Sequence, residues 1–157
     1  MITFPRIKER LKQHAGTLSG GEQQRVAIAA VLAMEPDIIV LDEPTSFLDP
    51  LSAERIFEVI YRLNKEHGIT VILVEHRLDL TAKYTDHLIV MDQGSIRLEG
   101  DPRQILSNEE TRLIGVGIPK ATLLYQMLKK EGLKLGEKTP LSSEELADQL
   151  LEALSPK

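Results

Sequence analysis

Four short stretches carry residue types that could do chemistry. Ser19-Gly20-Gly21-Glu22 opens a helical pattern. A hydroxyl and free backbone N–H groups at the positive end of a helix dipole suit a phosphate. The same Ser-x-x-Glu spacing is also a capping box, which needs no ligand. Asp42-Glu43 closes an apolar run. Two adjacent carboxylates beyond a strand's carboxyl end can divide labour, one holding Mg2+ and one orienting water for attack on a phosphoryl group. They can equally be solvated turn residues. His76 closes the next apolar run, where a neutral imidazole could hydrogen-bond a phosphate or the attacking water. His14, His67 and His87 share no ligand spacing with it. Ser46-Phe47-Leu48-Asp49 lies between the carboxylates and the next helix start, where Asp49 is an N-cap whatever else it does.

Regular elements must position these residues. Ser19-Gly20-Gly21-Glu22 leads a helix to about Met34, stopped by Glu35-Pro36-Asp37. Asp37 to Asp42 reads as a buried strand, a β-branched run with breakers on both sides. Asp49-Pro50 starts a helix with Ile56, Ile60 and Leu63 on one face, and Gly68 closes it. Ile69 to Glu75 reads as a second buried strand. A short helix from Arg77 to about Tyr84 precedes a strand from His87 to Met91. Asp92-Gln93-Gly94 turns the chain into a hairpin with Ser95 to Leu98. Asp101-Pro102 starts another short helix.

Alternating strands and helices predict a three-layer α/β domain with a largely parallel sheet. From Gly115 the character changes. Pro119 to Lys130 and Ser142 to Leu154 read as amphipathic helices across a Gly/Lys/Pro-rich linker. Ser142-x-x-Glu145 is a capping box, with Leu146, Leu150 and Leu154 as the stripe. Residues 6–15 are polar, with Ile7 and Leu11 at helical spacing.

The chain has 157 residues and a formal net charge of −5. With no Cys, disulfide scaffolds, Cys-zinc sites and thiol nucleophiles are excluded. The longest purely apolar run, Val26 to Met34, is too short to span a bilayer, and residues 1–6 hold no apolar signal core. The reducing cytoplasm is the expected compartment. Acidic balance, scarce aromatics and the lack of a basic cluster argue against nucleic acid as a partner.

Taken in order, these stretches resemble the ATP-binding-cassette (ABC) ATPases. Residues 18–25 match the family's signature motif, and residues 38–43 its Walker B strand with the Glu that follows. Residues 46–49 match its D-loop, and His76 its switch histidine. The resemblance implies a three-layer P-loop NTPase fold, with ATP and Mg2+ as cofactors. It implies Asp42 as the Mg2+ residue, largely through water, Glu43 as general base or water-orienting carboxylate, and His76 as a γ-phosphate contact. Ser19, Gly20, Gly21 and Gln23 would bind ATP held by a second ABC ATPase subunit, arranged head to tail. Ser46, Leu48 and Asp49 would lie at that dimer seam. Position 47 departs from the family, which commonly has a small residue where this chain has Phe.

The family also uses a Gly-x-x-x-x-Gly-Lys-[Ser/Thr] loop to cradle the phosphates. The nearest spacing here is Gly16-x-x-x-x-Gly21, followed by Glu22-Gln23. The chain is therefore expected to be the C-terminal half of the fold, truncated at the N-terminus and not competent for ATP hydrolysis alone. Residues 1–115 would form the ATPase part and 116–157 a helical extension. Residues 74–98, Gly117-Ile118-Pro119 and the tail resemble the ATPases of energy-coupling-factor importers. Residues 4–24 resemble those of branched-chain amino-acid importers. The expected role is the ATP-binding subunit of an importer, peripheral on the inner face of the cell membrane against a transmembrane transport subunit. The alternatives are a non-catalytic module that lends its signature motif to a complete ABC ATPase, and a soluble ABC protein outside transport.

Overall fold

Helix α2 (Pro50–His67) is set by its own sequence. The Asp49 side chain accepts from the Ser52 N–H at 3.0 Å, and Pro50 needs no partner in the first turn. Gly68 ends the helix at φ 69°, a left-handed conformation natural to glycine. Between these caps, Ala53, Ile56, Phe57, Ile60 and Leu63 form one buried stripe, with Phe57 wholly buried. The structure is a computed structural model describing residues 18–155, so the helical reading of residues 6–15 lies outside the described residues.

The remaining elements, in chain order, are α1 (Gly20–Leu32), β1 (Ile38–Asp42), β2 (Thr70–Val74), α3 (Leu78–Tyr84), β3 (Leu88–Asp92), β4 (Ser95–Gly100), α4 (Pro102–Ser107), α5 (Glu109–Leu113), α6 (Lys120–Lys130) and α7 (Ser143–Leu154). The chain packs as two units, divided between His76 and Arg77.

In the first unit, β1 and β2 pair in parallel, from Ile38 against Thr70 to Asp42 against Val74. Leu41, Val71 and Leu73 pack against the core made by Ile28 of α1 and Ile56, Ile60 and Leu63 of α2, and Ile39, at the parity of Leu41, is buried. The other face differs from the sequence expectation of fully buried strands. Ile38, Val40, Ile72 and Val74 are 52–65% exposed. The period-2 alternation sends them away from α1 and α2, which pack on the other face of the pair. Parallel sheets are ordinarily covered on both faces.

In the second unit, β3 and β4 form the antiparallel hairpin expected from its turn. Gln93 and Gly94 both have positive φ, 48° and 76°, as a two-residue type I′ turn requires. The largely parallel sheet of the sequence reading is represented among the described residues by the β1–β2 pair. Ala121, Tyr125, Leu135 and Leu146 make one small core, and Ala82, Leu106 and Leu141 another. The Tyr125 hydroxyl donates to the Gly136 carbonyl at 2.6 Å. The stripe on α7 fades from Leu146, 4% exposed, to Leu154, 68% exposed. α5 was not legible in the hydrophobic pattern; the Asn108 side chain caps it, accepting from the Glu110 N–H.

The expected capping box of α7 forms by half. The Ser142 hydroxyl accepts from the Glu145 N–H at 3.2 Å. The Glu145 carboxylate turns instead to a two-pronged pair with Arg103, at 2.6 and 2.7 Å, and to the Leu141 N–H at 3.0 Å. A bidentate guanidinium partner is stronger than a lone backbone donor. The Arg103 hydrogen bonds pull the Glu145 carboxyl down to about 2 from an ordinary 4.5. Because the folded value is depressed, the pair stabilises above the ordinary carboxylate value, and that stability is lost as pH falls through about 2. The Glu145 side chain is 40% exposed, so solvent screening cuts the gain to about 1 kcal/mol. Glu145→Gln should lose that amount at neutral pH in urea unfolding, and its stability should vary less than the parent's between pH 5 and about 2.

Candidate functional site

Parallel pairing brings the carboxyl ends of β1 and β2 to the same edge of the sheet, where ligands of α/β folds bind. Asp42 ends β1 opposite Val74. The Glu43 N–H donates to the Val74 carbonyl at 2.8 Å and carries the ladder one residue further. Glu43 then turns in a left-handed conformation at φ 43°, uncommon for a residue with a side chain. Its carboxylate Oε1 lies 3.9 Å from His76 Nδ1, with the side chains 52% and 64% exposed. Two predicted residues from different strands therefore meet, within reach of solvent and of a ligand.

Sequence reasoning missed what lies beneath them. The Glu75 side chain has no exposed surface, and Thr45 is wholly buried. Glu75 Oε1 accepts from both the N–H and the hydroxyl of Thr45, and Oε2 accepts from the His76 N–H at 3.0 Å. The available signal was a carboxylate at the core-facing parity of an apolar run, followed directly by His.

The second group gathers at the start of α1. The Ser19 hydroxyl accepts from the Glu22 N–H, and Glu22 reaches back to the Ser19 N–H at 2.9 Å, so the predicted capping box is complete. The Gln23 side chain donates to the Leu18 carbonyl at 3.2 Å. Gly20 and Gly21 are not explained by crowding. A Cβ at either would meet Leu48 at 3.8 and 3.7 Å, ordinary contact, and neither needs a positive φ. Gly20 is exposed, so its bare backbone is open to a group from outside, as close approach of a phosphate would use, whereas Gly21 is buried. Leu48 thus lies beside Gly20 and Gly21, and its neighbour Phe47 is 96% exposed. The Ser46 N–H donates to the Glu43 carbonyl at 3.2 Å, tying this loop to the carboxylates. Hydrogen bonds from Ser52 hold the Asp49 carboxyl below its ordinary range.

A family model described as "ABC transporter" matches residues 3–46, which span both the signature stretch and the Asp42-Glu43 strand end. The ATP-binding protein EcfA2 of an energy-coupling-factor transporter from Enterococcus faecalis is 41% identical over 158 aligned residues, covering 98% of this chain and 54% of its own length. The match is to the ABC transporter ATPase domain. It spans about half the length of the curated relatives it matches. A crystal structure of a nucleotide-free ATP-binding cassette from an ABC transporter superposes with a TM-score of 0.65 at 37% identity, over 70% of this chain and 45% of that one. The cbiO1 protein of Clostridium perfringens, part of the ABC transporter complex cbiONQ, does so at 0.58 and 34%, over 74% and 46%. The fold is that of the ABC cassettes, an α/β P-loop NTPase fold.

Members of this family bind ATP with Mg2+. Asp42 and Glu43 offer the hard oxygen donors that cation prefers. Among the described residues no cluster of three or more potential ligands exists. Among the described residues no helix is long and apolar enough to cross a membrane.

Ser19 already has a structural task, so its loss should register without nucleotide. Ser19→Ala should cost about 1 kcal/mol in urea unfolding, and Ser19→Asp should restore most of it. Unchanged stability in Ser19→Ala would show that the cap contributes nothing.

Proposed function

We propose that this chain supplies the signature, Walker B and switch-histidine part of the ATP-binding subunit of an ABC importer of the energy-coupling-factor kind. In that setting, Mg-ATP binding and hydrolysis drive transport through a membrane-spanning partner, with the ATPase on the cytoplasmic face. The observation that carries this reading is the meeting of Glu43 and His76 at one sheet edge, 3.9 Å apart.

Glu43, half exposed at the strand end, would orient water and take its proton. His76 would hydrogen-bond the γ-phosphate on the same side. Asp42 would hold Mg2+ through water; the bound ion would offset charge on the phosphates. Ser19, Gly20, Gly21 and Gln23, at the amino end of α1, would contact nucleotide held by a second ABC subunit in a head-to-tail pair. Ser46, Leu48 and Asp49 would face that partner. Residues 1–115 would form the ATPase part and 116–157 the helical extension.

These 157 residues contain no Gly-x-x-x-x-Gly-Lys-[Ser/Thr] stretch. Carboxylates and one imidazole do not hold a polyanion, so the phosphate loop must come from elsewhere. A second reading follows from the contrast between the complete Ser19-to-Gly21 helix start and that missing loop. In it, the chain is a non-catalytic module that completes another cassette's site.

Alone, the chain should hydrolyse ATP no faster than its Glu43→Gln variant. Joined to the phosphate-loop half of an energy-coupling-factor ATPase, it should gain turnover that Glu43→Gln lowers about 100-fold while ATP binding persists. Turnover indifferent to Glu43→Gln overturns the catalytic assignment. In mixtures with a complete ABC ATPase, sensitivity to Ser19→Ala without sensitivity to Glu43→Gln selects the second reading.

A further inference from the structure

We propose that Glu75 is a positioning residue: its buried carboxylate ties the loop carrying Glu43 to the segment carrying His76, and so fixes the imidazole beside the Glu43 carboxylate. The proposal rests on reading Glu43 and His76 as the hydrolytic pair and takes that reading one residue deeper.

Position 75 shares its parity with Val71 and Leu73, which face the apolar core of the first unit. An apolar side chain there would need no partners, whereas a buried carboxylate is costly unless every oxygen is satisfied. Glu75 meets that demand locally. Among the described residues, its two oxygens accept from the Thr45 N–H at 3.2 Å, the Thr45 hydroxyl, and the His76 N–H at 3.0 Å. That set suits an ionised carboxylate, which has acceptors only. The contacts join two strand ends 30 residues apart in sequence.

The linkage acts on His76 through its backbone. Oε2 is 3.0 Å from the His76 N–H but 3.9 Å from Nδ1, too far for a hydrogen bond. The ring remains open to Glu43, also 3.9 Å from Nδ1, and to solvent. On the other side, Thr45 is two residues beyond Glu43, whose own carbonyl accepts from the Ser46 N–H. Removing the carboxylate would leave both segments folded but free to move against each other. Gln fits the space yet replaces one acceptor oxygen by an NH2 group, which must face a donor.

The test uses NMR on the nucleotide-free 157-residue chain. In Glu75→Gln the Thr45 or His76 amide should exchange about tenfold faster, while Ile60 and Leu63 in α2 keep their rates. Thr45→Val should act likewise, and Thr45→Ser should behave as the parent. The His76 ring resonances should shift on Glu43→Gln in the parent and in Thr45→Ser, and that response should shrink in Glu75→Gln and Thr45→Val. Equal acceleration through α2 would mean a stabilising role only and overturns the proposal. So does an unchanged ring response in Glu75→Gln, or exchange at unfolded-chain rates at Thr45 and His76 in the parent. No nucleotide enters these measurements. Failure of the ATPase reading therefore shows as lost turnover effects with the NMR pattern intact, and failure of this proposal as the reverse.

Discussion

The parallel pairing of β1 with β2 is the constraint on which the site depends. An antiparallel partner would have sent His76 to the opposite edge from Asp42 and Glu43. With both strands running the same way, their carboxyl ends share an edge, and the Glu43 N–H to Val74 carbonyl bond fixes the register at the last residue before the chain turns. Parallel strands need a crossover, and α2 provides it. Its stripe of Ile56, Ile60 and Leu63 packs over Leu41, Val71 and Leu73, the face that holds the two strands together. Chemistry at the edge and burial beneath it are thus set by the same helix.

What could be read from the residues was mostly local. The stripe and caps of α2, the Gln93-Gly94 turn and the complete capping box at Ser19 each follow from spacings within one or two turns of chain. Glu43 and His76 stood out as candidates because each closes an apolar run, and strand ends are where α/β sites form. Apart from the short α5, whose cap is local, the informative failures involve distance or burial. Glu75 looks like a misfit until Thr45 is brought against it. The Glu145 carboxylate matches a capping box in sequence, but Arg103, 42 positions away, claims it. The burial of Ile38 and Val40 was overestimated because an apolar run does not say how many layers will cover it.

The two glycines beside Ser19 show how a structure can sharpen a motif. In sequence they could serve a tight turn, close packing or a ligand. The backbone needs no positive φ there, which removes the turn, and among the described residues a Cβ at buried Gly21 would make only ordinary contacts with Arg25, Leu48 and Ser52. The ligand reading fits the exposed Gly20 at the helix start. Phe47 stands apart from this economy, an almost fully exposed ring one residue from the side chain that lines those glycines.

Glu43 places a charged side chain on a backbone geometry that glycine would adopt without strain. The conformation conflicts with the carboxylate that the proposed chemistry calls for. Selection for thermal robustness alone would favour glycine at this position, and would discard the carboxylate in doing so. On the proposed reading of Glu43, a stability–activity trade-off is built into a single residue, and consensus-style stabilisation would have to leave that residue alone.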